Sequence, residues 1–185
     1  MPPKPKITRE QILEGALALV REKGSDELTA KALAKKLSCS TQPIFWHFSN
    51  MEELKGELFR EALRIFGECL RRKEEDLPPY MTIGMNYISF AEEERELFRL
   101  LFMSDFGRID VIGARIEMQY ILNVLEESEH IVGEKAQTIY RDMWLFSHGI
   151  AAMIATGAAK FSKEEVRSML SDVCRGLIGE LKNKE

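Results

Sequence analysis

Hydrophobic residues recur at intervals of three and four along most of the chain, which is the period of an α-helix. The pattern is divided into three short segments before residue 48 and continues through longer segments after residue 51. No stretch alternates apolar and polar residues with the period of two that half-buried strands need. The pattern therefore predicts an all-α protein, with a group of short helices at the N-terminus and a larger helical group after it.

Capping residues mark the first two helices. Thr8 and Gln11 form the capping-box pattern at the start of the first helix, and Gly24 follows its last polar turn. Thr29 is placed to cap a second helix over residues 30–37. We expect these two helices to pack together as part of one small core.

A third short helix follows the turn at residues 38–40. Ser40 is placed to cap it, and Pro43 falls in its first turn, where a missing N–H costs little. Ile44 and Phe48 are four residues apart, so both lie on the face that we expect to pack inward. The opposite face carries hydroxyl, amide and aromatic side chains and no charge: Thr41, Gln42, Phe45 and Trp46.

A charge-free helix face of this kind is unusual for a solvated surface, but it suits the major groove of DNA. Gln pairs with base edges, and Thr or aromatic carbons meet thymine methyl groups. Lys31 and Lys35 on the preceding helix are placed to hold phosphates. The alternative is an ordinary two-helix corner of a helical protein without a DNA partner.

The longer helical segments begin at residue 51. The first continues to about residue 77, where Pro78 and Pro79 cannot extend a helix. Further helices are predicted at these positions: 79–92, 95–103, 111–127, 134–156 and 163–183. We predict a DNA-binding domain over 1–50 and a helical ligand-binding and dimerisation domain over 51–185, with a connector helix over about 51–77.

The formal net charge of −4 argues at first against a nucleic-acid partner. However, residues 1–50 carry 8 Lys+Arg against 5 Asp+Glu, whereas the remainder carries 18 against 25. The first part is therefore net +3 and the second net −7. A basic N-terminal part on an acidic body favours a DNA-binding head joined to a domain that stays off DNA.

The segment around these helices resembles the DNA-binding domain of the tetracycline-repressor (TetR) family of bacterial transcriptional regulators. The matching positions are Thr29, Ser40, Ile44, His47, Phe48, Asn50 and Leu54. The resemblance implies a homodimeric regulator, most often a repressor, that a small-molecule effector releases from a palindromic double-stranded DNA operator. The residues expected to bind DNA are Thr29, Lys31, Lys35, Ser40, Thr41, Gln42, Pro43, Phe45, Trp46, His47 and Lys55.

Three residues depart from the family pattern. Ser38 stands where Gly is usual, which predicts a slightly strained turn. Phe45 replaces a Tyr whose hydroxyl bonds a phosphate, and Met51 replaces a Lys, although Lys55 lies one turn further on. These departures leave an alternative open, in which a TetR-like fold acts as a protein-interaction module with weak or lost DNA binding.

The second part of the chain is rich in Met and aromatic residues, which adapt to irregular volumes and can line a pocket for an apolar or amphipathic ligand. At helical spacing such residues equally form an ordinary core. The residues that we expect to line a ligand pocket are Phe66, Tyr87, Phe90, Phe102, Met103, Phe106, Met118, Tyr140, Trp144 and His148.

Residues 143–150, MWLFSHGI, resemble the W-x-x-x-H-G signature of a TetR subgroup. Trp144 and His148 are four apart and share a helix face, where they can orient a ligand or simply pack as core residues. The uncharged run 143–159 is near the lower limit for a membrane span, but its polar and small residues favour a buried helix instead. We therefore predict no membrane segment.

The resemblance implies that the last two long helices of each subunit form a four-helix dimer interface. The residues that we expect there are Ile150, Ile154, Val166, Met169, Leu170, Val173 and Leu177.

Enzyme chemistry finds little support in the sequence. Neither G-x-S-x-G nor H-E-x-x-H is present, and the acidic run 126–130 is more typical of a solvated helix end than of a metal site. Cys39, Cys69 and Cys174 form no C-x-x-C pair, which is typical of reduced thiols in the cytoplasm. Cys39 is either a redox sensor or a small buried residue. We predict a cytoplasmic protein that is not an enzyme and needs no cofactor or metal.

Overall fold

The computed structural model describes residues 7–104 and 117–182, with side chains through residue 180. Its helices are α1 (Arg9–Lys23), α2 (Ala30–Lys36), α3 (Gln42–His47), α4 (Met51–Leu70), α5 (Pro79–Glu93), α6 (Arg95–Phe102), α7 (Met118–Glu129), α8 (Gly133–Thr156) and α9 (Lys163–Lys182). A 3-10 turn, Ser25–Glu27, follows α1. The described residues form no strand, so the prediction of an all-α fold is confirmed.

The chain forms two compact units. The head unit comprises, among the described residues, 7–64 and 94–104, and the body unit comprises 65–93 and 117–182. The chain passes from one unit to the other inside α4, and α6 belongs to the head unit, where it packs against α1. These units describe packing, so the functional boundary that the sequence predicts at residue 50 stays a prediction.

Helix α1 organises the head unit. The Thr8 side chain accepts the Gln11 backbone N–H at 3.2 Å and the Gln11 side chain accepts the Thr8 backbone N–H at 2.9 Å, which confirms the capping box. The C-cap of the helix is Gly24, whose φ is +84°. Glycine adopts this backbone conformation readily because it has no Cβ. Because α1 packs against α2, α3 and α6, its buried side chains include Ile12 and Leu19.

The turn between α2 and α3 agrees only partly with its prediction. Thr29 caps α2 as expected, accepting the Ala32 backbone N–H at 3.1 Å. Helix α3 begins at Gln42 with Thr41 as its N-cap, and no side chain makes a capping hydrogen bond there. The prediction that Ser40 caps α3 was therefore wrong, because the helix begins one residue later. Ser38 has a φ of +53°, a left-handed conformation that strains a residue with a Cβ.

The predicted connector helix over 51–77 was too long, since α4 ends at Leu70. The buried amide of Asn86 on α5 donates to the carbonyl oxygens of Leu70 at 3.3 Å and Arg72 at 2.8 Å. Carbonyls at a helix end need such partners, because no further turn satisfies them. A residue sixteen positions away in sequence thus sets the end of α4.

The body unit is built around α5, which packs against α7, α8 and α9. Most of its side chains are buried, including Tyr80, Tyr87 and Phe90. Helix α8 ends at Gly157, whose φ of +75° forms a left-handed C-cap.

Candidate nucleic-acid interface and body cavity

The outer face of α3 is exposed, apolar and uncharged. Phe45 is 46% exposed and Trp46 is 67% exposed, whereas Ile44 and Phe48 are buried beneath them. Thr41 and Gln42 are exposed at the start of the same helix. The inward and outward faces predicted from the spacing are both confirmed. Exposing two large aromatic side chains to water is unfavourable, and an interaction partner that covered them would remove this cost.

The cations near α3 differ in their availability. Lys31 and Lys35 are exposed on α2, while Lys36 donates to a carboxylate oxygen of Glu22 at 2.5 Å. Lys55 lies 3.4 Å from Glu52 one turn earlier on α4. Lys31 and Lys35 are consequently the better placed for phosphates, and Lys55 would have to leave an ion pair to serve there.

The remaining predicted DNA-binding residues are of two kinds. Ser40 is exposed and Pro43 is half-buried in the first turn of α3, while Thr29 uses its hydroxyl to cap α2. His47 donates from Nε2 to the carbonyl oxygen of Ile7 at 2.9 Å, because a carbonyl can only accept. His47 thus ties the end of α3 to the residues before α1.

An ionic cluster that the sequence analysis missed lies beneath α3. Arg9 donates from Nη1 and Nη2 to the two carboxylate oxygens of Glu57 at 3.0 and 2.6 Å, and from Nη2 to Glu53 at 3.3 Å. The guanidinium carbon lies 4.2 Å from the centre of the Phe48 ring. Because 48 residues separate Arg9 from Glu57, no helical spacing could have revealed the pair.

The body unit contains a small, partly open cavity between α5, α7 and α8. Its volume is about 30 Å³, which is room for about one water molecule. Three predicted pocket residues line it: Tyr87, Tyr140 and Trp144. None of the nine described lining residues carries a charge. A charged ligand would find no counter-ion there, so the lining favours an uncharged one.

Other predicted pocket residues lie elsewhere. Phe66 and Phe90 are buried core residues whose ring centres are 5.1 Å apart, and Met118 is half-buried on α7 away from the cavity lining. Phe102 and Met103 belong to the head unit and do not line this cavity. The last predicted residue, Phe106, lies outside the described residues.

Six lining residues were not predicted: Tyr80, Ile83, Gly84, Ile121, Met143 and Ser147. Ile83 and Gly84 lie three or four residues from Tyr87, Ser147 lies three from Trp144, and Met143 lies three from Tyr140. Helical spacing from the predicted aromatic residues could therefore have found these four. Gly84 has a separate role. A Cβ there would lie 3.3 Å from Leu170, which shows how closely α5 approaches α9.

Trp144 and His148 form a stacked pair at the edge of this cavity. Their ring centres are 4.9 Å apart with an angle of 16° between the planes. The Tyr87 hydroxyl and His148 Nδ1 share a hydrogen bond of 2.9 Å. Burial raises the pKa of Tyr87 and lowers the pKa of His148, so at neutral pH the phenol keeps its proton and the imidazole is uncharged. The phenol can then donate to Nδ1, which leaves the imidazole proton on Nε2.

The residues predicted for a dimer interface are not equally available. Ile150, Val166 and Leu170 are already buried inside the single chain, because α5, α8 and α9 enclose them. The half-buried members of the predicted set are Ile154, Met169, Val173 and Leu177. The sequence analysis missed Leu145 and Met153, which are 50% and 40% exposed on α8.

Leu145, Gly149 and Met153 follow one another at intervals of four along α8, so they form one exposed stripe. A Cβ added at Gly149, or at Gly176 on α9, would meet no atom within 4 Å. Small residues facing open space permit another helix to approach closely. The exposed stripe on α8 and the surface around Gly176 on α9 therefore leave room for another helix.

Residues 7–104 and 117–182 contain no helix that is long and apolar enough to cross a membrane. The same residues contain no group of three His, Cys, Asp or Glu side chains that is placed to hold a metal ion. Cys39 is half-buried in the turn before α3, and Cys69 and Cys174 are buried as free thiols.

Residues 12–58 match the family described as bacterial regulatory proteins, tetR family. A curated relative, the tetracycline repressor protein class D of Escherichia coli, is 30% identical over 117 residues, which cover 62% of this chain and 50% of that protein. The chain thus spans about half the length of the tetracycline repressors that it matches.

Solved structures resemble this chain in fold over most of its length. A TetR-like transcriptional regulator from Rhodococcus sp. RHA1 has a TM-score of 0.69 at 18% identity, with 96% of this chain and 100% of that chain covered. A single-residue variant of TetR from Acinetobacter baumannii AYE, in complex with minocycline, has a TM-score of 0.59 at 17% identity and coverage of 96% and 98%. The match of residues 12–58 and the shared fold thus make this chain similar to the tetR family of bacterial regulatory proteins.

Proposed function

We propose that this protein is a DNA-binding transcriptional regulator whose α3 enters the major groove. The observation that carries this proposal is the exposed, charge-free face formed by Gln42, Phe45 and Trp46. Phosphates on either side of the groove would be held by Lys31 and Lys35, and Gln42 would pair with a base edge. The protein would act in the cytoplasm, where bacterial DNA lies.

The regulator would act as a homodimer on a palindromic operator. A two-fold axis through α8 and α9 would bury the stripe of Leu145, Gly149 and Met153 against its symmetry copy. The two copies of α3 would then lie about 34 Å apart, one turn of DNA, in successive major grooves. Met153→Glu would place a charge in that interface, so we expect the variant to sediment as a monomer at a concentration where the unchanged protein is a dimer.

The body cavity would be the closed form of an effector site. At about 30 Å³ it is roughly tenfold smaller than sites for drug-sized ligands, so an effector would have to separate α5 from α8. Its lining favours a small, uncharged apolar or amphipathic molecule. Opening would favour a dimer whose two heads are wrongly spaced for DNA, and release from the operator would make the protein a repressor.

The test is quantitative DNA binding by fluorescence anisotropy, with the DNA upstream of the protein's own gene and a shuffled duplex as probes. Gln42→Ala should weaken binding to the upstream DNA by about tenfold and leave the shuffled duplex almost unaffected. The double change of Lys31 and Lys35 to Ala should weaken binding to both probes. It should also make the slope of log affinity against log salt concentration less steep by about 1.8. Equal losses on both probes for Gln42→Ala would contradict base recognition.

The second candidate function is a protein-interaction module, and the same exposed Phe45 and Trp46 favour it. Aromatic side chains are enriched at protein interfaces, and Phe45 lacks the hydroxyl that would bond a phosphate. If the protein binds the upstream and the shuffled duplex equally weakly at low salt, that result would favour this alternative over DNA recognition.

A further inference from the structure

The cluster around Arg9 connects three parts of the head unit. Arg9 is the first residue of α1, Phe48 follows the last residue of α3, and Glu57 lies on α4. The paired hydrogen bonds from Arg9 to Glu57 fix the plane of the guanidinium, and its stacking over Phe48 uses the face that those bonds leave open. One side chain thereby joins α1 to α4 and to the residue that follows α3, the DNA-facing helix.

A second set of contacts extends the cluster to the backbone. One carboxylate oxygen of Glu53 accepts from Arg9 at 3.3 Å, and the other accepts the backbone N–H of Ser49 at 2.7 Å. The backbone N–H of Glu53 in turn donates to the side chain of Asn50 at 2.9 Å. The turn from α3 to α4 is therefore held from both of its ends.

We propose that Arg9 is a positioning residue for DNA recognition, which sets the angle of α3 through Phe48 and Glu57 and does not itself bind phosphate. The inference rests on the proposed DNA-binding function. Both terminal nitrogens of the guanidinium donate to carboxylates, and its charge is locally neutralised by Glu53 and Glu57. Such a group has little left to attract a phosphate, whereas a small rotation of α3 would displace Gln42 from a base edge.

The sharpest test removes the partner and keeps Arg9. Glu57→Gln takes away a negative charge, so a phosphate-binding Arg9 would be freed and DNA affinity would rise or stay level. A positioning Arg9 predicts the opposite: about fivefold weaker binding to a duplex that the protein selects from a random library, and little change on a shuffled duplex. Glu14→Gln, an equal change of charge at an exposed position on α1, should cause no such loss.

Two further variants separate positioning from charge and from folding. Arg9→Lys keeps the positive charge and loses the paired geometry, so it should also lower the ratio of selected to shuffled binding. In Arg9→Ala the salt dependence should keep its slope, and a slope less steep by about 0.9 would show a direct phosphate contact and overturn the proposal. Circular dichroism at the assay temperature tests whether each variant is folded. If Arg9 only stabilised the fold, the folded variants would keep the same ratio of selected to shuffled binding.

A measurement without DNA tests the same cluster. Hydrogen exchange at the amides of Phe48 and Ser49 should become faster in Glu57→Gln and Arg9→Lys and stay unchanged in Glu14→Gln. Unchanged exchange in all variants would overturn the proposal. Failure to select any duplex would count against the proposed DNA-binding function alone, because the exchange experiment still decides whether Arg9 holds the turn.

Discussion

The two tryptophans show how differently the head and body units use aromatic side chains. Trp46 in the head unit is 67% exposed, on a helix of six residues. Trp144 in the body unit stacks on His148 at 4.9 Å and lines a cavity. The spacing along α3 predicted the outward position of Trp46, whereas for Trp144 the sequence left both a pocket role and a core role open.

The difference follows from how each helix is covered. Helix α3 is short and has neighbours on one side, where Ile44 and Phe48 are buried, so its other side remains in water. Helix α8 is 24 residues long and packs against α5, α7 and α9. An exposed aromatic contributes to binding, and a covered one contributes to stability.

The largest effect is expected in the body core. Phe66→Ala should lower the free energy of unfolding by about 3–5 kcal/mol, because the ring is buried and its edge contacts with Tyr87 and Phe90 are lost. Urea denaturation followed by circular dichroism measures this loss. A change below about 1 kcal/mol would mean that the unit collapses around the missing ring, so that it is less rigidly packed than the structure indicates.

Trp46→Ala is the matching change in the head unit. It should weaken binding to a selected duplex by about tenfold, or about 1.4 kcal/mol, and change the free energy of unfolding by less than about 0.5 kcal/mol. Anisotropy and urea denaturation give the two numbers. A large loss of stability with unchanged DNA binding would reverse the assignment of Trp46 as an exposed binding residue.

The next effect is a gain in stability in the turn before α3. Ser38→Gly should raise the free energy of unfolding by about 1 kcal/mol, because glycine adopts a φ of +53° without a Cβ clash. Thermal unfolding should show a midpoint higher by a few degrees. Ser40→Gly is the matched control, and it should be neutral or slightly destabilising, because glycine adds freedom to the unfolded chain.

The smallest effect is a pH dependence in the body unit. Burial lowers the pKa of His148 in the folded chain, so below about pH 6.5 the unfolded chain binds a proton there more readily. Stability from this site is therefore present above that pH and is lost as the pH falls toward the lowered pKa. Between about pH 7 and pH 5, the free energy of unfolding should fall less in His148→Gln than in the unchanged protein. Urea denaturation at each pH measures this difference.

An exposed histidine provides the control for that experiment. His130→Gln removes an exposed histidine, and its pH profile of stability is compared with that of His148→Gln. If His148→Gln and His130→Gln give the same profile, the imidazole at 148 does not contribute to the pH dependence.

Local sequence patterns were enough for much of the head unit. The capping box at Thr8, the Thr29 cap and the inward pair Ile44 and Phe48 all involve groups within four residues of one another. Such groups interact through the geometry of a single helix, so their arrangement follows from spacing. The turn at Ser38 was also anticipated as strained, because a residue with a Cβ stands where the family has glycine.

Long-range contacts account for the errors. The end of α4 at Leu70 depends on the amide of Asn86, and the membership of α6 in the head unit depends on its packing against α1. Phe102 and Met103 were expected in the pocket because they are apolar, although apolar character does not say which of two cores a helix joins. The roles assigned to individual DNA-binding, pocket and interface residues stay predictions.

The helical class, the caps of α1 and α2 and the outward face of α3 were thus present in the order of residues along the chain, because short-range geometry and hydrophobic period depend on neighbours alone. Which aromatic side chains meet at a cavity, where α4 stops, and how Arg9 joins α1 to α4 were decided only in the folded chain. These features join residues far apart in sequence, as the hydrogen bond between Tyr80 and Ile139 does across 59 positions. Hydrogen bonds of that range exist only after the core has brought the helices together.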